Sequence, residues 1–386
     1  GLPLFAVARR ASSFQGGVFA LAFYLLLPLA VSASRSFQPD PLMVSLILCS
    51  AYLAYRWNEE KSWAWATSTA LVAGIAVLIK APAAFQVGLV LVFTTLSAWG
   101  IKGAIRSLQV WLVAAIAIAI PASYYLAIRG SGSSGYIEYW SGSFSRMLLE
   151  PGFYVRWLVF LQQNVVEISI FFAGLAGATL FSWRGKAIAY GLWLGYGVYG
   201  FVVPYLISTH DYYSLPLIPT IAFSLAPLAT IVFQAVSRQS RIWQSVFYAV
   251  LVLAVIFPAW IARSSLLGTN YRQEILGWQA MGQELPKDGR IIAIIHDYGN
   301  RLRYYGWTAV DLWPSTAEQS LSALRNDSPE DVSTMFNQLT KGYRYFLVTL
   351  PKELEAQKQL ADILYNNYPL VADQHGYLLF DLNPNP

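Results

Sequence analysis

Long apolar runs separated by short polar loops dominate this sequence. A helix that crosses a membrane needs about 20 mostly apolar residues. About nine runs meet that requirement: 16–34, 41–57, 62–79, 81–99, 108–127, 157–181, 187–207, 214–235 and 242–262. The series predicts a polytopic α-helical membrane protein.

The composition points the same way. Charged residues make up 12% of the 386 residues, against about 25% in soluble domains. Aromatic residues reach 15%, as expected where Trp and Tyr line both membrane interfaces. We therefore attribute the net charge of +5 to basic residues in the loops between membrane segments, and we expect no nucleic-acid partner. The single cysteine, Cys49, excludes a disulfide within the chain.

The loop charges predict which face of the membrane each loop occupies. Lys and Arg are concentrated in alternate loops, at Arg9, Arg10, Arg56, Lys61, Lys102, Arg106, Arg184, Lys186, Arg238 and Arg241. The positive-inside rule assigns these loops to the cytoplasm. The opposite loops, which contain Asp40, Lys80 and His210, then face outward. We expect a multi-pass plasma-membrane protein.

After the last apolar run the sequence changes character. Segments 290–296 and 343–349 are predicted to be short apolar strands, 371–373 and 377–381 are predicted to pair as a hairpin, and helical segments separate these elements. Strands alternating with helices predict a small α/β domain. The predicted organisation is a transmembrane domain over 1–263 and an extracytoplasmic α/β domain over 264–386.

The loop at 34–41 holds Asp40 between Pro39 and Pro41, with Arg35 five residues earlier. The two prolines restrict the backbone on both sides of the acid. Asp40 either caps the helix that starts near Pro41 or serves a functional site. The residues alone leave both interpretations open.

Two further outer segments carry polar side chains. Lys80 closes an apolar run and is either a snorkelling anchor or a phosphate-binding ammonium. The segment His210-Asp211-Tyr212-Tyr213 combines a candidate acid–base pair with two aromatic residues typical of a helix entry. Because these segments share one face, an acid, a base and cations meet at the water–lipid boundary.

The long outer loop begins with the Gly/Ser-rich segment 129–135 and continues into an aromatic stretch that contains Glu138 and Tyr139. It is either an interfacial segment or a lid over a cavity. Motifs such as HExxH, CxxC, GxSxG and a P-loop are absent from the sequence. No metal, nucleotide or other cofactor is expected.

Segments 35–41 and 210–219, with Lys80 between them, resemble the GT-C membrane glycosyltransferases. The branch is the one that contains protein mannosyltransferases and aminoarabinose–lipid A transferases. The resemblance implies transfer of a sugar from a polyprenyl phosphate to an extracytoplasmic lipid, glycan or protein, with inversion at the anomeric carbon.

The resemblance also implies roles for single residues. Asp40 matches the second acidic position of the family, and Lys80 a position near the donor phosphate. The implied sets are Asp40, His210 and Asp211 for catalysis, Arg35 and Lys80 for the donor phosphate, and Tyr212, Tyr213, Tyr139 and Glu138 for the substrate cavity. In that family the principal catalytic acid follows the first helix, and this chain begins near the end of the second. We therefore expect an N-terminally truncated sequence.

A transporter or flippase for a lipid-linked glycan is the alternative function, and a non-catalytic anchor for the outer domain is a third. Transporters often show repeats and helices broken near the midplane. Prolines interrupt helices at Pro28, Pro121, Pro204 and Pro258, but no internal repeat is visible. The charges gather at one face, which favours surface chemistry.

Overall fold

The computed structural model describes residues 1–128, 139–140, 142–268, 270–324, 331–374 and 376–383. The chain divides into two units, Gly1–Leu267 and Gly268–Pro386. The first is built from helices, and the second is a small sheet with helices. This combination confirms the predicted fold class.

We number thirteen α-helices in the described residues of the first unit. They are α1 Leu2–Ala11, α2 Phe14–Leu26, α3 Pro28–Ser34, α4 Asp40–Glu60, α5 Trp63–Ile79, α6 Ala83–Arg106, α7 Leu108–Ala127, α8 Pro151–Asn164, α9 Ile168–Ala178, α10 Trp183–Val202, α11 Pro204–Ile207, α12 Leu217–Ser237 and α13 Arg241–Gly268. Short 3₁₀ turns cover Ser145–Leu149 and Asp211–Ser214.

Fewer helices meet a strict test for spanning than the sequence predicted. In the described part of the chain, four are long and apolar enough: α6, α7, α12 with its preceding turn, and the helix that begins at Arg241. Counting two bent pairs as single spans raises the number to six. The predicted number was nine. The remaining three predicted runs correspond to α4, α5 and α10, of which α5 has only 17 residues.

Local sequence explains several helix boundaries. The hydroxyl oxygen of Ser13 accepts the Gly16 N–H at 3.0 Å, and that of Ser62 accepts the Trp65 N–H at 3.3 Å, so both helices begin with a capping serine. Pro28 opens α3 directly after α2, with a bend of 65° between them. Since proline has no N–H to donate, it starts a new helix there more readily than it continues the old one.

Glycines allow α10 to approach α6 closely. A Cβ at Gly195 would lie 2.5 Å from Gln86 Cα, and one at Gly191 would lie 2.6 Å from Val90 Cα. Small residues at helix interfaces are the usual means of close packing in membranes. Gln86 then reaches across the contact, donating to Leu192 O at 3.0 Å and Thr220 Oγ1 at 3.1 Å. The α6, α10 and α12 helices are thus joined at the point where the 210–216 loop enters α12.

We predict that Gly195→Ala destabilises the protein by about 1–3 kcal/mol, because the added methyl meets backbone that cannot move aside easily. Gly197→Ala on the same helix is the matched control, since a Cβ there meets nothing within 4 Å. Thermal unfolding in detergent should show a lower midpoint for Gly195→Ala only. Equal midpoints for the two variants would show that this contact is not tight.

The second unit contains a five-stranded sheet in the order β2-β1-β3-β5-β4. Its strands are β1 Ile291–Ile294, β2 Asp311–Leu312, β3 Tyr345–Val348, β4 Leu370–Gln374 and β5 Tyr377–Asp381. The strand β1 pairs in parallel with β2 and β3, whereas β5 is antiparallel to β3 and β4. The predicted strands at 290–296 and 343–349 and the hairpin are present, although its turn residue His375 lies outside the described residues. The two-residue strand β2 was missed.

Helices cover both faces of the sheet. They are α14 Arg272–Glu284, α15 Asn300–Tyr305, α16 Thr316–Leu324, α17 Val332–Leu339, α18 Pro351–Ala356 and α19 Lys358–Asn367. One apolar core includes Leu302 and Leu347, and the other includes Phe336 and Phe346. Alternate residues of β3 therefore serve opposite faces, as the period of two in a strand requires.

Candidate active site

An ion pair between Asp40 and Lys80 is the centre of the candidate site. Asp40 is the first residue of α4 and Lys80 follows the last residue of α5, and Lys80 Nζ donates to Asp40 Oδ1 at 2.6 Å. The N-cap of α4 is Pro39 and not Asp40, and the helix has no side-chain capping hydrogen bond. The interpretation of Asp40 as a helix cap is therefore not supported, and its role in a functional site remains a prediction.

Both partners are withdrawn from water to different degrees. Asp40 is 2% exposed, and the Lys80 side chain is 20% exposed. A buried carboxylate is unfavourable unless a cation or hydrogen-bond donors compensate it. Asp40 thus needs Lys80, while Lys80 retains an opening toward solvent.

Two tyrosine rings complete the surroundings of the ammonium group. Lys80 Nζ lies 4.6 Å from the ring centroid of Tyr213 and 5.4 Å from that of Tyr212, within the range of cation–π attraction. Both rings come from the 3₁₀ turn Asp211–Ser214. The Ser214 hydroxyl is hydrogen-bonded to the Tyr196 hydroxyl at 2.8 Å, which anchors this turn to α10. The sequence-predicted residues Asp40, Lys80, Tyr212 and Tyr213 are therefore brought together.

His210 borders the same cluster. Its ring centroid lies 5.6 Å from that of Tyr212 and 6.0 Å from that of Tyr213. The Thr209 hydroxyl donates to Tyr205 O at 2.7 Å and lies 2.8 Å from His210 Nδ1. Because that hydroxyl proton is already used, we assign the Nδ1–H tautomer, which leaves Nε2 as the basic nitrogen.

Partial burial lowers the pKa of His210 from its usual 6.5, and the neighbouring charge of Asp211 opposes this effect only in part. A lowered pKa keeps the imidazole neutral at pH 7. His210 can therefore accept a proton from a substrate hydroxyl at that pH.

An aromatic cluster extends the site toward the long loop. The Trp140 ring stacks on Phe144 at 5.7 Å and on Tyr205 at 5.8 Å between centroids, and Tyr139 meets Trp140 at 4.8 Å. Tyr205 in turn lies 6.5 Å from His210. Tyr139 is thus connected to the site through aromatic contacts. Glu138 and the Gly/Ser-rich segment lie outside the described residues.

Two of the predicted residues are not brought into the cluster. Arg35 is exposed and forms no ion pair with Asp40. Asp211 is also exposed, and across the ranges that the structure describes it takes part in no ion pair. Neither side chain contributes to the contacts around Lys80 as the structure stands.

Sequence reasoning missed Tyr199 of α10. It is 2% exposed, its ring centroid lies 6.1 Å from that of Tyr213, and its hydroxyl has no hydrogen-bond partner among the described residues. A buried unsatisfied hydroxyl beside an ion pair is a candidate ligand contact. The available signal was the spacing of Tyr196 and Tyr199, which places both on one face of a glycine-rich helix.

The described residues contain no group of three or more His, Cys, Asp or Glu side chains arranged to hold a metal ion. The groups that converge here are instead a carboxylate, an ammonium, an imidazole and phenol rings. Such a set can bind an anionic oxygen, stack on a sugar ring and accept a proton.

Comparison with known proteins adds two findings. Residues 2–125 match the family model described as dolichyl-phosphate-mannose-protein mannosyltransferase, a range that includes Asp40 and Lys80. A search of curated proteins finds no significant relative.

Among solved structures, the fold is similar to that of ArnT from Cupriavidus metallidurans bound to undecaprenyl phosphate. The TM-score is 0.55 at 14% identity, and the alignment covers 98% of this chain and 81% of that one. ArnT in the apo state gives a TM-score of 0.48 at 14% identity, and the alignment covers 98% of this chain and 80% of that one. The predicted resemblance to GT-C membrane glycosyltransferases is confirmed.

Proposed function

We propose that this protein is a glycosyltransferase that moves a sugar from a polyprenyl-phosphate donor to an extracytoplasmic lipid, glycan or protein, with inversion. The observation that carries the proposal is the ion pair of buried Asp40 with partly exposed Lys80, next to the rings of Tyr212 and Tyr213. Its two charged members lie within the residues that match the mannosyltransferase family model. The undecaprenyl phosphate bound to the structurally similar ArnT supports a polyprenyl-phosphate donor.

The charge change of the reaction fits a lysine at this position. When the acceptor oxygen attacks the anomeric carbon, the bond from that carbon to the phosphate oxygen breaks and the phosphate gains one negative charge. A cation next to that oxygen stabilises the transition state more than the ground state. An ammonium has three N–H donors, so Lys80 can keep its bond to Asp40 and still donate to a phosphate oxygen.

Each remaining residue then has a role in the proposal. Asp40 positions Lys80 and balances its charge before the donor arrives. His210 Nε2 accepts the proton of the acceptor hydroxyl, while the rings of Tyr212, Tyr213 and Tyr139 line the sugar site. Glu138, Asp211 and Arg35 remain predictions from the sequence alone.

The proposed setting is the plasma membrane with this site on the outer face, which the alternating loop charges favour. In a variant without Cys49, a cysteine at Lys341 should react with an impermeant reagent in intact cells and one at Ser240 should not. The reverse labelling pattern would contradict this orientation.

Purified full-length protein in liposomes should transfer a labelled sugar from a polyprenyl-phosphate sugar to an acceptor fraction. Below about pH 6.5 the rate should fall, because protonation of His210 removes the basic form, and the midpoint should lie below the ordinary histidine value since the pKa is lowered. His210→Gln should remove this acid limb and slow transfer at pH 7. The measurement is the initial rate at each pH.

Two outcomes would count against the proposal. Movement of labelled lipid between leaflets without any transfer would favour the flippase alternative. An acid limb that is unchanged in His210→Gln would remove His210 from the proton-accepting role. Tyr248→Phe, at an exposed position on α13, is the matched control for a loss of transfer caused by mutation in general.

A further inference from the structure

A groove at the junction of α2, α3 and α13 is separate from the candidate active site. It has a volume of about 370 Å³ and is lined by Leu26, Val31, Arg35, Ala259, Ala262, Arg263, Leu266 and Leu267. Two guanidinium groups and six apolar side chains make up this lining, which contains no acid. None of the lining residues belongs to the Asp40–Lys80 cluster.

The two arginines are available to bind an anion. Arg35 follows the last turn of α3 and Arg263 lies near the end of α13, and both are exposed. Neither is in an ion pair anywhere in the part of the chain that the structure describes. The guanidinium carbon of Arg263 lies 5.4 Å from the centroid of the Trp260 ring. This contact uses the face of the guanidinium group and leaves its N–H donors free to bind an anion.

The apolar side of the groove belongs to a surface that suits lipid. The spanning window of the helix that begins at Arg241 is only 6% buried within the protein, so nearly all of its apolar surface faces outward. In a membrane such a surface contacts acyl chains. An arginine at the end of a spanning helix lies at the depth of lipid phosphates.

We propose that this groove binds a bilayer phospholipid with a net negative head group, independently of the sugar donor. The phosphate lies between Arg35 and Arg263, and the upper part of one acyl chain packs against Leu26, Ala262 and Leu266. Charge complementarity supports this occupant, because the lining combines two cations with an apolar wall. The proposal goes beyond the transferase function and does not depend on it.

The test compares lipid binding by purified, delipidated protein in micelles doped with phosphatidylglycerol, phosphatidylcholine or undecaprenyl phosphate. Native mass spectrometry counts the bound molecules. The double variant Arg35→Gln/Arg263→Gln should bind phosphatidylglycerol at least tenfold more weakly, since each basic residue near a membrane surface contributes roughly fivefold. Phosphatidylcholine should bind weakly to both proteins.

Arg241→Gln, at the other end of α13, is the matched control and should bind phosphatidylglycerol normally. Unchanged phosphatidylglycerol binding in the double variant would overturn the proposal. So would a loss of undecaprenyl phosphate binding with no loss of phosphatidylglycerol binding, which would return Arg35 to the donor site. The readout is binding alone, so either result is separable from a failure of sugar transfer.

Discussion

Replacing Lys80 with glutamine should slow sugar transfer roughly tenfold to hundredfold. A hydrogen bond from a charged donor contributes about 1.5–3 kcal/mol, and each 1.4 kcal/mol corresponds to about a factor of ten. In the proposed reaction the polyprenyl phosphate leaves with more negative charge than it has in the bound donor. Loss of the Lys80 ammonium group therefore destabilises the transition state more than the bound ground state. The measurement is kcat and KM for the lipid-linked donor in reconstituted protein.

Two variants separate the charge of Lys80 from unrelated effects of substitution. Lys80→Arg keeps a cation at the position and should retain more transfer than Lys80→Gln, although its geometry differs. Lys102→Gln, at an exposed position on α6, should leave the kinetics unchanged. If Lys80→Gln matched the unmodified protein in kcat and KM, Lys80 would be an anchor that lies near the site without serving it.

The same substitution should also lower the free energy of unfolding by about 3–5 kcal/mol. Asp40 is 2% exposed, and removal of Lys80 leaves its carboxylate buried without a cation. Asp40→Asn should be less harmful, because the partly exposed Lys80 side chain can extend toward water. Unfolding of each variant in mixed detergent, followed by Trp fluorescence, gives the comparison.

The double variant Asp40→Asn/Lys80→Gln tests the origin of that loss. Replacing both charges with neutral amides of similar shape should recover most of the stability, because no uncompensated charge remains. It should not recover sugar transfer, which needs the cation. Additive losses from the two single substitutions would show that the two side chains do not act as a pair.

The sequence determined the general organisation of this protein. Runs of apolar residues predict helices, because a helix satisfies its own backbone hydrogen bonds inside a membrane. Strands β1 and β3 could also be predicted from the sequence, since both are short apolar segments between turn residues. The two-residue strand β2 could not be predicted, because its pairing with β1 depends on a neighbour distant in the chain.

The sequence predicted most of the residue types in the site, but only some of the contacts between them. Asp40, Lys80 and the two tyrosines were each conspicuous as polar or aromatic residues at the ends of apolar runs. The nine predicted spans remain a prediction; among the described residues four to six helices are long and apolar enough to cross a membrane, and runs such as that of α5 are apolar but short. Tyr199 was overlooked, because a tyrosine inside a membrane helix looks like ordinary packing.

Tertiary structure alone decided which of these side chains meet. Asp40 and Lys80 are 40 residues apart, and their contact depends on how α4 and α5 pack. The close approach of α10 to α6 at Gly195, and the hydrogen bonds from Gln86 and Trp193 that tie α12 to both helices, bring Tyr213 next to the ammonium group. Arg35 is only five residues from Asp40 in sequence, yet it lines a different groove with Arg263. Local sequence patterns indicate whether each segment lies in lipid or in water. The contacts of the site arise instead from packing between helices that are far apart in the chain.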